Sequence, residues 1–215
     1  MKLRRLITLT TTATLAALLS ACGGGGETGP AWAKDAKAEL TEEVFVSYYG
    51  VCFNIGDYPV RDVLTRVAKT GTVEVFKEEY RFYKGSTCDE ANPAFAYRLP
   101  DLTLQWDGTE AVDAATGYTA KQVTASRTAS ATVFTALAND IVFKQLEGDK
   151  TSANWPARND PEAIELPNTY EAELYKDLYL NRAGKIYFGN RNGVQTDAYP
   201  TKLNSAVSEL FSIEP

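Results

Sequence analysis

The chain holds 215 residues, with 22 Lys and Arg against 28 Asp and Glu, three Cys and no His. Without imidazole there is no Ser-His-Asp or Cys-His nucleophile system and no His-ligated zinc or haem. A net charge of −6 supplies no basic footprint for DNA, RNA or an anionic bilayer, so the acidic excess reads as ordinary solubility.

Residues 1–21 read as an export leader. Lys2, Arg4 and Arg5 precede LITLTTTATLAALL, an uncharged run over 6–19. That run is shorter than the ~20 residues a spanning helix needs, but it suits the apolar region of a signal peptide. It closes on Leu19-Ser20-Ala21-Cys22. A branched apolar residue, two small residues and a cysteine resemble the lipobox of bacterial lipoproteins. The resemblance covers residues 1–22 and implies lipidation of Cys22: a diacylglyceryl thioether on its sulfur, cleavage before it, and acylation of the new amino end with a fatty acid such as palmitate. Two or three acyl chains exceed what stable anchoring requires. A secretory leader cut at a small-x-small site is the alternative, but charge, apolar core, small residues and cysteine follow the lipoprotein order. Gly23, where an Asp would imply inner-membrane retention, leans towards the outer membrane, facing the periplasm. Residues 22–30 form the lipidated tether: GGGGETGP after Cys22 resists a fixed conformation and reaches about 15 Å as a coil. No Lys-Ser/Thr follows these glycines, so they are not a phosphate loop.

Loss of Lys2, Arg4 and Arg5 with the leader leaves 19 basic against 28 acidic side chains, a charge of −9. With Cys22 carrying lipid, Cys52 and Cys88 remain as a pair, and an oxidising compartment predicts a disulfide between them. Their separation is unlike Cys-x-x-Cys, which favours a staple over a redox centre.

Residues 31–215 suit one β-rich domain. In chain order, VFVSYYGVCF over 44–53 reads as a strand. Residues 60–69 and 72–83 read as a hairpin turning at Thr70-Gly71, and the disulfide would make the three a stapled meander. On 72–83, Glu74, Phe76, Glu78, Tyr80 and Phe82 share one face, yet neither face is cleanly apolar. One end of this strand is then buried and the other wet, or the strand twists between environments. Strands follow at 94–99, 102–106 and 118–127, punctuated by Pro100-Asp101 and Asp107-Gly108. The stretch 129–147 reads either as a helix or as two strands hinged at Asn139-Asp140, with a strand favoured over 141–146. Pro156, Pro161 and Pro167 mark 148–169 as a long loop with one helical turn near Glu162–Leu166. A hairpin pairs Leu174–Leu180 with Lys185–Phe188, and Asn192-Gly193 makes a further turn. Leu203, Val207, Leu210 and Phe211 stand at helical spacing, predicting a short C-terminal helix.

About eight short strands with few helical patterns predict a mainly β fold, an antiparallel β-barrel or sandwich. The strand meander with a terminal helix resembles the lipocalin-type barrel. The Gly-x-Trp of that family's first strand is absent, its place held by Tyr48-Tyr49-Gly50-Val51. Thr196-Asp197-Ala198-Tyr199 only echoes its second motif, late in the chain, so no family is assigned.

Acid–base chemistry would fall to carboxylates, Lys or Tyr. Glu74, Glu78, Glu79, Asp57 and Asp62 are candidates, but no spacing singles out the facing pair that glycoside hydrolysis needs. Glu42-Glu43 and Glu78-Glu79 are strand neighbours and point to opposite faces. The loop 148–160 offers Asp149, Asn154, Asn159 and Asp160 as hard oxygen ligands, but it lacks an EF-hand pattern and reads as turn chemistry. Gly189-Asn190-Arg191-Asn192-Gly193 also reads as a turn. Ser86 and Ser205 have no Lys three residues on, so no Ser-Lys dyad appears. Tyr48, Tyr49, Tyr80, Tyr83, Tyr97, Trp106, Tyr179 and Tyr187 either wall a cavity for an apolar or sugar ligand or fill a core. No catalytic, cofactor or metal residues are assigned. The expectation is a non-enzymatic envelope lipoprotein binding a small ligand or an envelope protein. The alternatives are a structural or assembly accessory of an envelope complex and a carboxylate-based hydrolase.

Overall fold

The computed structural model describes residues 45–113, 115–154, 164–204 and 211–213. Cys22, the tether, and Glu42 and Glu43 lie outside the described residues. The chain opens with β1 (Ser47–Ile55), β2 (Tyr58–Thr70) and β3 (Val73–Tyr83). Gly56 and Gly71 turn these strands at φ 58° and 59°, a left-handed backbone that glycine adopts without steric cost. Then come β4 (Pro93–Arg98), β5 (Leu102–Val112), β6 (Thr119–Arg127), β7 (Ser130–Ala131), β8 (Val133–Ala136) and β9 (Val142–Leu146). The last six are β10 (Lys150–Asn154), β11 (Ile164–Pro167), β12 (Thr169–Tyr170), β13 (Glu173–Arg182), β14 (Lys185–Phe188) and β15 (Phe211–Ser212). Among the described residues there is no helix.

Eight strands close into an antiparallel barrel: β1, β2, β3, β5, β6, β13, β14 and β15, neighbour to neighbour in chain order. The closure is Tyr49 of β1 opposite Ser212 of β15. The expected choice between barrel and sandwich thus resolves to an up-and-down barrel, which leaves no free edge in the ring. The barrel forks at β3. Its first half pairs with β5, from Val73↔Gln105 to Phe76↔Leu102, and its second half with β4, from Glu79↔Arg98 to Tyr83↔Pro93. The sheet therefore runs on past the barrel as β2, β3, β4 and β8, and the small sheet β9–β10–β11 covers its inner face.

Three cores follow from this layout. Tyr48, Leu64, Phe76, Leu102, Leu104, Val123, Ala125, Tyr179 and Ile186 fill the barrel. Val60, Phe82, Phe95, Tyr97, Leu99, Ala153 and Ile164 form a side core under the extension, with the Phe82 and Phe95 rings stacked 4.4 Å apart. Leu178, Leu180, Ala120 and Leu203 pack outside the wall. Cys52 and Cys88 are disulfide-bonded, with Cα atoms 5.6 Å apart, and tie the loop after β3 to β1.

Some expectations are corrected. The C-terminal helix is not seen: Leu203 bridges Gly189, and Phe211 and Ser212 form β15, while 205–210 lie outside the described residues. Phe211 and Leu203 serve the barrel wall and its outer packing, so their helical spacing is incidental. The long loop 148–169 contains β10 and β11, and the helical turn near Glu162–Leu166 gives way to strand at Ile164–Pro167. In the ambiguous stretch 129–147 the strand favoured over 141–146 is present as β9, Val142–Leu146, and β7 and β8 precede it where a helix was the other reading. Finally, the face carrying Glu74, Phe76, Glu78, Tyr80 and Phe82 has no wet end. Glu74 and Glu78 are only 7% and 6% exposed.

Candidate functional site

The site follows from strand periodicity. Residues two apart share a face, so Val60, Asp62, Leu64 and Arg66 of β2 point inward. On β3 the same applies to Glu74, Phe76, Glu78, Tyr80 and Phe82. The register sets Asp62 opposite Tyr80 and Leu64 opposite Glu78, which makes the two carboxyl groups diagonal neighbours. They stand on the seam between the barrel core and the side core. A buried polar layer separates two apolar clusters.

Two cavities open on that seam. One, of about 290 Å³, is lined by Gly50, Phe53, Asp62, Tyr80, Phe188 and Phe211. The other, of about 340 Å³, is lined by Asp62, Glu78, Arg127, Tyr175, Asp177 and Arg191, with Leu64 and Leu102 deeper in the wall. They share Asp62, Phe188, Gly189, Asn204 and Phe211. Gly50 can line the first because β1 bulges there, between Tyr49 and Cys52. A side chain on Gly50 would press on Phe211 and on the Asp62 carbonyl, at 3.3 and 3.2 Å.

Charge in the pocket is unevenly satisfied. Arg127, 7% exposed, bonds Glu78, donates to the Pro100 carbonyl at 2.8 Å, and lies 3.3 Å from Glu173. Arg191 donates to the Lys176 and Gln195 carbonyls and stacks over Tyr175 at 4.9 Å. Asp177 Oδ1 accepts the amides of Leu178 and Gly189 at 2.8 and 3.0 Å. Asp62 is different. Its carboxyl group lies beside Glu78 and the Val63 amide, and its enclosed Oδ1 has no hydrogen-bond partner among the described residues.

Burial pushes the Asp62 carboxyl well above its ordinary range, the Glu78 charge pushes it the same way, and Arg127 only partly opposes them. Burial also raises Glu78, with Arg127 pulling it down. Burial raises Asp177 to about 6 and Tyr175 to about 12.

A second ionic group seals the barrel interior elsewhere. Arg66, fully buried, lies 3.3 Å from Glu74, which also accepts from the Tyr179 hydroxyl at 3.0 Å and lies 3.7 Å from Lys69. These groups satisfy one another in a closed interior, away from the cavities, and act as packing.

Of the candidate carboxylates, Asp62 and Glu78 come together, Glu74 belongs to the Arg66 group, and Glu79 bonds Arg81 at 2.6 Å. Asp57 lines a shallow, open groove with Pro59, Lys84 and Ser86. Asp149 accepts from the Thr169 hydroxyl at one end of β10 and Asn154 stands at the other, so they do not converge, while Asn159 and Asp160 lie outside the described residues. Tyr48, Tyr83, Tyr97 and Tyr179 are core, and of the eight aromatic candidates only Tyr80 lines a cavity on the seam. Sequence reasoning read Gly189–Gly193 as a turn but did not place it, Phe188, Phe211 or Tyr175 at a site. The structure shows why glycine stands at 189: a Cβ there would lie 2.5 Å from both Asp177 Oδ1 and the Pro200 ring. No protein-family model, curated protein or solved structure matches the chain.

Proposed function

We propose that the chain is a lipid-anchored envelope lipoprotein whose barrel binds a small ligand without transforming it. The supporting observation is the pair of cavities that meet at Asp62, walled by Phe188 and Phe211 and floored by polar groups. Their size sits at the lower end of ligand pockets and equals on the order of ten water volumes. Aromatic walls with a few convergent polar groups suit an amphipathic molecule. Lipidation at Cys22 would hold this barrel at the outer membrane on its glycine tether, facing the periplasm.

The hydrolase reading finds its two convergent carboxyl groups in Asp62 and Glu78. Asp62 and Glu78 stand side by side on adjacent strands of one wall, however, and not across a cleft from each other as glycoside hydrolysis needs. The accessory reading finds a sheet edge in β8, with Val133 49% exposed and no further strand paired beyond it among the described residues. That edge is four residues long and short for strand addition, so the ligand reading is preferred.

Native mass spectrometry of the full chain, extracted in detergent from the envelope, tests the proposal. The expected result is a small non-covalent adduct lost on denaturation. Identical native and denatured masses, with the cavities accepting no added small molecule, would contradict it.

A further inference from the structure

We infer that the barrel seats on the lipid leaflet through the end at which the chain enters it, with Phe45, Val112 and Ile213 against the headgroup layer. The inference rests on the lipid-anchor reading and adds the surface that meets the membrane.

Strand order defines that end. Successive strands of an up-and-down barrel alternate in direction. The start of β1, the β2–β3 turn at Gly71, the β5–β6 turn at Gly117, the β13–β14 turn at Gly184 and the end of β15 therefore share one rim. Phe45 joins it where its amide donates to the Arg66 carbonyl at 2.7 Å, and Ile213 where its amide donates to the Gly184 carbonyl at 3.0 Å. Val112 pairs with Thr119 at the outer end of the β5–β6 hairpin. Only residues 23–44 separate Cys22 from Phe45, so a lipid on Cys22 holds the barrel by this rim.

The rim's surface suits a headgroup layer. Phe45, Val112 and Ile213 are 76%, 63% and 49% exposed. Phe45 is held at φ 75°, a left-handed backbone that a bulky residue rarely adopts, and its ring is displayed instead of buried. Lys121 lies over the Trp106 ring at 5.6 Å and Arg182 over the Tyr118 ring at 4.5 Å. Lys69 and Lys185 stand at the same end. Such rings and long cationic side chains settle where lipid turns from apolar to phosphate. The acids of this end are engaged within the protein. Glu110 stands opposite Lys121, Asp107 lies 3.0 Å from Lys176, and Asp113 is buried, accepting the Ala115 amide at 2.9 Å.

No other exposed apolar group combines these features. Phe53 and Leu174 lie at the opposite end, but its turns and loops carry exposed Asp57, Asp89 and Glu171, which lipid phosphates repel. Val133, Leu137 and Val142 lie on the sheet extension, which leaves the barrel from the far half of β3. Seated on the rim, the barrel keeps its cavities uncovered, because Gly50 and Asp62 stand down their strands from Phe45 and Gly71.

Hydrogen exchange read by mass spectrometry tests the inference. It compares the lipidated full chain in vesicles of phosphatidylethanolamine and phosphatidylglycerol with the Cys22→Ser chain in solution. Exchange at the Gly71, Gly117 and Gly184 turns should slow about tenfold on the vesicles, the effect of a seated state about ten times as populated as a lifted one. The Gly56 turn and residues 89–92, at the other end, should be unchanged. Phe45→Ser combined with Val112→Ser and Ile213→Ser should remove the protection while the chain still sediments with the vesicles. Should that variant fail to fold, the pattern of protection on the unaltered chain decides. No protection at the rim, equal protection at both ends, or protection that survives the triple substitution would overturn the inference and leave the lipid anchor in place. A chain that does not bind the vesicles would overturn both.

Discussion

At the scale of single residues, two inward-facing carboxylates have opposite energetic roles. Glu74 is matched by Arg66, Lys69 and Tyr179, and its loss would take a carboxylate from beside a fully buried guanidinium. Glu74→Ala should therefore cost about 3–5 kcal/mol, a large share of the ~5–15 kcal/mol typical of a domain, read as a lower urea midpoint at unchanged slope. Asp62 lacks such a match. Its folded-state proton affinity is raised, so between the ordinary carboxylate range and the raised one the native state binds more protons than the unfolded chain. Stability from this group is greatest at low pH and falls as pH rises. Asp177, raised to about 6, acts in the same sense. Asp62→Asn should raise Tm at about pH 7.5 and much less at about pH 5, by roughly 2–4 °C for each kcal/mol of relief. A Tm lowered at both pH values would mean that Asp62 has a structural partner. A residue that lowers stability where it lines a pocket is the pattern of a site kept for function.

Elements decide how far the fold could be read from residues. The strands that became β1, β2, β3, β6, β13 and β14 carried β-branched and aromatic runs, so their existence was plain from composition. β10 was not, because KTSAN has a single β-branched residue, Thr151, and no aromatic. It is a strand because it pairs with β9 on one side and β11 on the other, which puts Ala153, fully buried, into the side core. The C-terminal pattern Leu203, Val207, Leu210 and Phe211 matched a helix, yet Phe211 closes the ring opposite Ile186. Local periodicity carried no trace of the unpaired edges of β1 and β14 that needed a strand. The same limit hid the site: Asp62 and Glu78 meet only because the β2–β3 register makes them diagonal. Gly189 is the element-level test. Gly189→Ala would force apart Asp177 and Pro200, so Tm should fall by several degrees and ligand binding should weaken with it. An unchanged Tm would show that the β13–β14 wall is looser than its contacts imply. The disulfide was legible from cysteine count and compartment alone. Replacing Cys52 and Cys88 with Ser opens a loop whose closure is worth at most about 4 kcal/mol, and thermal unfolding should show the loss.

For the whole molecule, architecture and address are separate matters. A closed barrel needs no partner strand in its ring. The chain's net charge of −6 does not favour anionic headgroups, so in the proposed role attachment falls to a lipid at Cys22. The described residues contain no helix that is long and apolar enough to cross a membrane. The role proposed here, a ligand binder held at the envelope, therefore depends most directly on that one cysteine. Cys22→Ser, expressed in a bacterium that processes lipoproteins and followed by fractionation, is the direct measurement. The account predicts that the unaltered chain sediments with the membranes and that the variant leaves them for the soluble fraction. A variant that sediments with the membranes as fully as the unaltered chain would contradict it.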